Sequence, residues 1–266
     1  MCTALISVDP GSRVPVLLLF ARDEFVDRAW RLPARHWPNR PSLVGGRDER
    51  AGGTWLAVRP GDGSAGPRVA CLLNAFGTFA SPERRLTRGE LPLIAASPGG
   101  YVGDLDLTRY DPFHLLIGEA DGMSMLTWDG RTLADRKLEP GTHLVSNRGL
   151  EVEDDRLPTA PERAVTLIEA RIRHFRPLLQ AAPRPEPAPG PGVPTRAAWD
   201  GWMRLADGDG LDVDDVRALI GRHDWGGDAG VWMTTSVSLV ALGADGVRYD
   251  LNPAPLAGEW LEVPVR

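Results

Sequence analysis

Two runs of apolar, β-prone residues open the chain, Thr3 to Val8 and Val14 to Phe20. Asp9-Pro10-Gly11-Ser12 between them is a turn signal, so the pattern predicts a β-hairpin. A second hairpin is predicted from Thr54–Arg59 and Arg68–Leu73, joined by the glycine- and proline-rich run 60–67. Further strands are expected at Phe113–Glu119, Met123–Asp129 and His143–Ser146, with Asp121-Gly122 and Asp129-Gly130 as turns. Residues 28–50, rich in Arg, Pro and Trp, read as an irregular loop.

The period changes near residue 160. Thr159-Ala160-Pro161-Glu162 fits a capping box, and Val165, Ile168, Ile172, Phe175 and Leu179 then recur at helical spacing. The proline-rich segment 183–194 allows neither a helix nor a central strand and reads as an extended loop or linker. Two short helices are expected at 196–206 and 212–222. Strands return at Val231–Leu242, Val247–Leu251 and Trp260–Val263. Strands at both ends with helices late in the chain predict one α+β domain over 1–266 whose termini share a sheet.

Composition narrows the class. The chain has 266 residues, 42% hydrophobic and 25% charged, which is ordinary for a soluble globular protein. A core of that size needs no disulfide or metal to hold it. The net charge of −6 argues against nucleic-acid binding through bulk charge. Lys137 is the only lysine, a bias that points to a GC-rich genome rather than to a binding function. Cys2 and Cys71 form no CxxC. The longest apolar run, Val14 to Ala21, is broken by Pro15 and too short to span a bilayer. No basic segment precedes a long apolar stretch at the N-terminus. The expectation is a soluble, cytoplasmic protein with no membrane span; oligomeric state leaves no mark on the pattern.

Several motifs lack their structural context. Gly61-Asp62-Gly63-Ser64-Ala65-Gly66 spells GxGxxG, but Pro67 and a β-type run follow instead of a helix, so it reads as a hairpin turn. Asp207–Asp215 has acidic spacing like a calcium loop, yet Leu211, Asp212 and Ala218 occupy the positions that need an oxygen, a glycine and a glutamate. A helix start with acidic residues facing the dipole is the simpler reading. The histidines at 36, 114, 143, 174 and 223 are scattered and read as surface or loop residues. Trp55, Trp128 and Trp232 fall in expected strands and read as core. No cofactor or metal is expected.

Cys2 carries the chemistry. Loss of Met1 would leave a thiol nucleophile and an α-amine of pKa about 7.7–8.0 on one residue. The amine can take the thiol proton, directly or through water. With the first hairpin turning at Pro10-Gly11, antiparallel pairing brings Arg22 and Asp23 beside Cys2. An arginine there favours a thiolate, and an aspartate can orient the ammonium. The plain alternative is a small residue after the initiator and a surface ion pair.

Met1-Cys2-Thr3 and Leu18-Leu19-Phe20-Ala21-Arg22-Asp23-Glu24-Phe25 resemble the NRDE-motif family, also called the transport and Golgi organisation protein 2 family. Gly52-Gly53-Thr54-Trp55-Leu56, Leu73-Asn74, Arg88-Gly89-Glu90-Leu91 and Pro140–Asn147 match in the same order. The resemblance covers residues 1–150, and the strand 231–242 more loosely. It implies the N-terminal-nucleophile hydrolase fold, a four-layer αββα sandwich. By similarity to cysteine-type members of that fold, penicillin V acylases and bile-salt hydrolases, Cys2 would be the nucleophile, with Arg22 and Asp23 as partners. Asn74 and Asn147 would be oxyanion or substrate-orienting donors; their alternative role is capping of backbone.

Two positions depart from the family pattern. Its leading asparagine is Ala21 here, and an arginine ahead of the terminal strand falls on Met233, leaving Arg222 or Arg248 to supply a cation. Two functions follow from the resemblance. One is a cysteine hydrolase of a non-peptide amide or a thioester. The other is a non-catalytic binding or trafficking protein for a lipid, acyl-CoA or haem, with Trp30 and Trp37 of the 28–50 segment lining its cleft. Either takes a small acyl or lipid-like molecule.

Overall fold

The computed structural model describes residues 2–62, 65–150, 160–190, 192–224 and 230–265. Strands β1 (Thr3–Val8), β2 (Val16–Phe25), β3 (Trp30–Ala34), β4 (Val44–Asp48), β5 (Leu56–Arg59) and β6 (Arg68–Asn74) come first. Helix α1 (Leu91–Ala96) precedes β7 (Phe113–Glu119), β8 (Gly122–Trp128), β9 (Leu133–Lys137), β10 (Gly141–Ser146) and β11 (Gly149–Leu150). Then come α2 (Glu162–Ala181), α3 (Thr195–Ala198) and α4 (Asp200–Ala206). Strands β12 (Arg222–Asp224), β13 (Val231–Gly243), β14 (Gly246–Asn252) and β15 (Leu261–Glu262) close the described chain.

The strands form two antiparallel sheets. One runs β11-β10-β1-β2-β13-β14-β15 with β12 added to β13, and so joins both ends of the chain as the pattern predicts. The other is β3 to β9 in chain order.

Period-two alternation builds the layers. In β1 and β2, Ala4, Ile6, Val8, Val16, Leu18 and Phe20 face the second sheet and pack with Val44, Leu56, Val58 and Cys71. Their neighbours Leu5, Leu17, Leu19 and Ala21 face the other way and pack on Ile168, Phe175, Trp199 and Trp202. The second sheet has its own outer core, where Ala57, Ala70, Leu72 and Leu115 meet Leu91 and Leu93 of α1. Helix, sheet, sheet and helix therefore stack in the αββα order. Each fully buried Leu or Phe contributes about 1.5–3 kcal/mol to holding these layers together.

Several expectations fail for local reasons. Residues 28–50 are not an irregular loop, because β3 and β4 lie within them. Gly45 and Gly46 disguise β4: a Cβ on Gly45 would sit 2.5 Å from the Leu56 carbonyl, and one on Gly46 would sit 2.6 Å from the Trp55 ring. Both glycines permit close packing within a strand rather than a turn. Pro33 is tolerated because β3 is an edge strand.

The helix expected at 212–222 is absent. Asp212 and Asp215 instead accept from the backbone N–H groups of Asp214 and Arg217, and this side-chain capping competes with helical bonding. The Asp207–Asp215 run is likewise not a helix start, since Asp209 sits at φ 59° and pairs with His174 and Arg204. Trp55 is buried but lies just before β5, outside it.

Helix α2 begins after Pro161, which makes no side-chain cap, while Thr159 of the expected capping box lies outside the described residues. Residues 183–190 carry no regular element, as their prolines dictate. Arg184 ties that segment to the first hairpin through Ser7 Oγ at 3.0 Å, Ser12 Oγ at 2.9 Å and the Val14 carbonyl. No helix among the described residues is long and apolar enough to cross a membrane.

Candidate active site

The alternation that builds the layers also sorts the site. Thr3 pairs with Ala21, which brings Cys2 level with Arg22. Arg22 continues the face of Leu18 and Phe20, toward the second sheet. Its guanidinium carbon lies 4.0 Å from the Trp55 ring centroid, and NH1 donates to Thr235 Oγ1 at 2.8 Å. Asp23 continues the face of Leu19 and Ala21, toward the helices. Its carboxylate accepts from Thr234 Oγ1 at 2.7 Å and from Arg171 NH1 at 3.1 Å. A register shift in β13 between Thr234 and Ser236 lets adjacent threonines serve the two faces.

Arg22 and Asp23 are 3% and 4% exposed, so they form no surface ion pair. Burial works to raise the Asp23 carboxyl, but Arg171 and the Thr234 hydroxyl are among the groups that hold it below its ordinary range. Cys2 is half-buried, and its Sγ lies 3.8 Å from the Asp23 carbonyl oxygen, to which the thiol donates. Burial pushes the thiol up and the Asp23 charge adds to the push. Arg22 pulls the other way and is outweighed, so with Met1 attached Cys2 rests as a thiol.

Cys2, Asp23 and Asn74 line two adjoining cavities. One, of about 520 Å³, is walled by Phe25, Phe76, Pro161, Ala164, Trp232 and His223, with Asn147 at its edge. The other, of about 340 Å³, is charged and is lined by Arg22, Glu24, Arg28, Asp48, Arg85, Arg88 and Asp111. A larger cavity of about 660 Å³ lies between the Pro60–Pro67 loop and the Ala244–Gly246 turn, and none of the Cys2 group lines it. The Trp30 and Trp37 side chains line neither cavity at Cys2.

The two asparagines are linked. Asn147, 6% exposed at the end of β10, donates its side-chain amide to the Asn74 carbonyl at 2.6 Å. Asn74 ends β6 with an exposed side chain that faces both cavities. Asn147 thus fixes the backbone from which the Asn74 amide projects.

The buried cation missing at Met233 is supplied by neither expected arginine. Arg222 is exposed on β12, and Arg248 is buried in β14 against Asp250. The buried cation beside Asp23 is Arg171 of α2, which also donates to Thr3 Oγ1 at 2.9 Å and to the Ala218 carbonyl at 2.9 Å. Its signal in the sequence was an arginine inside the apolar stripe of a helix, between Ile168 and Ile172. His223 was also missed: with His114 it is buried in a strand rather than at the surface, and it walls the apolar cavity. Among the described residues no group of His, Cys, Asp and Glu is arranged to hold a metal ion.

Two of the sequence motifs interlock beside the charged cavity. Thr54 N–H donates to the Gly89 carbonyl at 2.8 Å, and a Cβ on Gly53 would lie 2.4 Å from that carbonyl group. Gly52-Gly53-Thr54 and Arg88-Gly89-Glu90 therefore meet backbone to backbone, which places Arg88 on the cavity wall.

Comparison with known proteins agrees with this architecture. A penicillin V acylase from Agrobacterium tumefaciens superposes with a TM-score of 0.53 at 11% identity, covering 95% of this chain and 83% of that one. At that identity the likeness is one of fold, the N-terminal-nucleophile hydrolase fold. A search of curated protein sequences finds no match. The sequence model of the family described as Transport and Golgi organisation 2 matches residues 1–177, which include β1, β2, Cys2, Arg22, Asp23, Asn74, Asn147 and Arg171. On that match the chain belongs to the Transport and Golgi organisation 2 family.

Proposed function

We propose that the protein is a cysteine N-terminal-nucleophile hydrolase of a non-peptide amide or a thioester. The observation that carries this reading is the position of Cys2. It immediately precedes β1 where an apolar and a charged cavity meet, with the buried Asp23–Arg171 pair behind it. In this reading residues 1–266 act as one domain, in the cytoplasm, on a small acyl or lipid-like substrate.

Removal of Met1 frees the Cys2 α-amine, and the Asp23 carboxylate stabilises its ammonium form. The amine takes the thiol proton and the sulfur attacks the carbonyl carbon. The C=O electron pair moves onto oxygen, where the Asn74 amide, whose backbone Asn147 holds from behind, acts as donor. Collapse breaks the C–N bond, and the leaving amine takes the proton back from the α-ammonium. A water molecule, deprotonated by the same amine, then attacks the acyl-Cys2 thioester. The acid departs and the thiol is restored. With a thioester substrate the leaving group is a thiol.

The test uses Met1-free protein, verified by intact mass, against a panel of acyl amides and thioesters. Turnover that Cys2→Ala abolishes, with an acyl adduct mapped to Cys2, supports the hydrolase. Absence of both removes it.

The apolar cavity and the raised thiol favour a second reading, a passive carrier of a lipid, acyl-CoA or haem. A carrier keeps its ligand affinity in Cys2→Ala.

A further inference from the structure

The charged cavity is balanced except at one residue. Arg28 lies 2.7 Å from Asp48 and 3.6 Å from Glu24, which also pairs with Arg22 at 3.6 Å. Arg85 takes Asp111 at 3.2 Å, and Asp23 is held by Arg171. Arg88 has no carboxylate within 4 Å among the described residues; it feels Asp111 only as a more distant charge. A half-buried guanidinium without a counter-ion is costly, and here burial already lowers its proton affinity.

Arg88 is nevertheless held in place. Its NH1 donates to the Pro112 carbonyl at 2.6 Å, while Gly89 behind it is locked against Gly53 and Thr54. Among the described residues that single bond leaves the remaining N–H groups of the fork uncommitted, on the wall of the cavity that Cys2 also lines.

We infer that Arg88 is an anion-recognition residue, and that the bond presented to Cys2 joins an apolar acyl chain to an acidic group of amino-acid size. The acyl chain occupies the cavity of Phe76 and Trp232, and the carboxylate of the leaving group meets the Arg88 fork. The substrate class is thus the N-acyl amino acids. A charged cavity of about 340 Å³ has room for an amino acid. Charge-assisted pairing with a carboxylate would complete the balance that the protein leaves open. This inference rests on the reading of Cys2 as nucleophile, but the site itself can be tested without turnover.

The experiment compares N-dodecanoylglycine with its neutral terminal amide. In Met1-free wild type, kcat/KM for the acid should exceed that for the neutral compound by about tenfold or more, as expected for a hydrogen bond to a charged group. Arg88→Gln should erase the preference, and Arg88→Lys should restore part of it. In parallel, calorimetric titration of Cys2→Ala should show tighter binding of the acid than of the neutral amide, and Cys2→Ala with Arg88→Gln should bind both alike. Equal handling of the two ligands by wild type and by Cys2→Ala overturns the inference, as does a preference that survives Arg88→Gln. No turnover of either compound, with acid-selective binding through Arg88 retained, removes the hydrolase and leaves the anion site standing.

Discussion

The guanidinium of Arg171 lies 3.1 Å from the carboxylate of Asp23, and both side chains are shut away from solvent. Helix α2 thereby reaches through the outer layer to the strand that flanks Cys2. Arg171 is a positioning residue: it touches Thr3 and Asp23, one step from the nucleophile.

Arg171→Met should therefore destabilise the protein by about 3–5 kcal/mol, because it strands a buried carboxylate. Urea unfolding measures the loss. The Asp23 carboxyl is held below its ordinary 3.8, so its contribution is present above that pH and disappears as pH falls through the lower folded value. Arg171→Met should flatten that acid-side loss, and an unchanged acid profile would count against the pair.

His114 gives a second pH signature at higher pH. Burial in β7 holds its imidazole at about 4, against 6.5 when exposed. The unfolded chain takes the proton first, so stability should fall as pH drops from 6.5 toward 4 and level off below. The expected loss is about 3 kcal/mol. His223 shifts in the same direction and adds to it. His114→Gln should reduce the slope of stability against pH in that window, measured by denaturant midpoints at each pH.

Gly53→Ala probes the interlocked motifs. The added methyl would collide with the Gly89 carbonyl and push the Arg88 segment outward. A cost of about 1–3 kcal/mol is expected for such overpacking. Thermal unfolding measures the cost, and discrimination between N-dodecanoylglycine and its neutral amide should weaken alongside it.

The asparagines should separate in kinetics. If the Asn74 amide meets the oxyanion, Asn74→Ala lowers kcat by about 10²–10³. Asn147→Ala acts only through the Asn74 backbone and should lower kcat less. A larger loss for Asn147→Ala would reverse the two roles.

The hairpins were legible because β1, β2, β5, β6, β7 and β8 carry apolar runs broken by turn residues. β1 and β7 fall on the expected residues without a shift. β4 was hidden because its glycines answer to Trp55 and Leu56, partners distant enough to leave no trace in a local window. The 212–222 segment misled because its spacing is helical while its aspartates cap turns. Cys2, Arg22 and Asp23 could be brought together from hairpin geometry alone. Arg171 could not, since its partner lies 148 residues away and the docking of a helix on a sheet decides the match.

The division of Arg22 and Asp23 between opposite faces of β2 also limits how this gene can change. Removing one codon between Phe20 and Arg22, with the strand still clamped between β1 and β13, would trade the two charges across the sheet. The arginine would turn toward the helices in the place of Ala21, the aspartate would lie over the Trp55 ring, and Glu24 would take the place of Asp23 opposite Arg171. Lineages that retain this site should therefore tolerate exchange of residues in β2 far better than any change in its length.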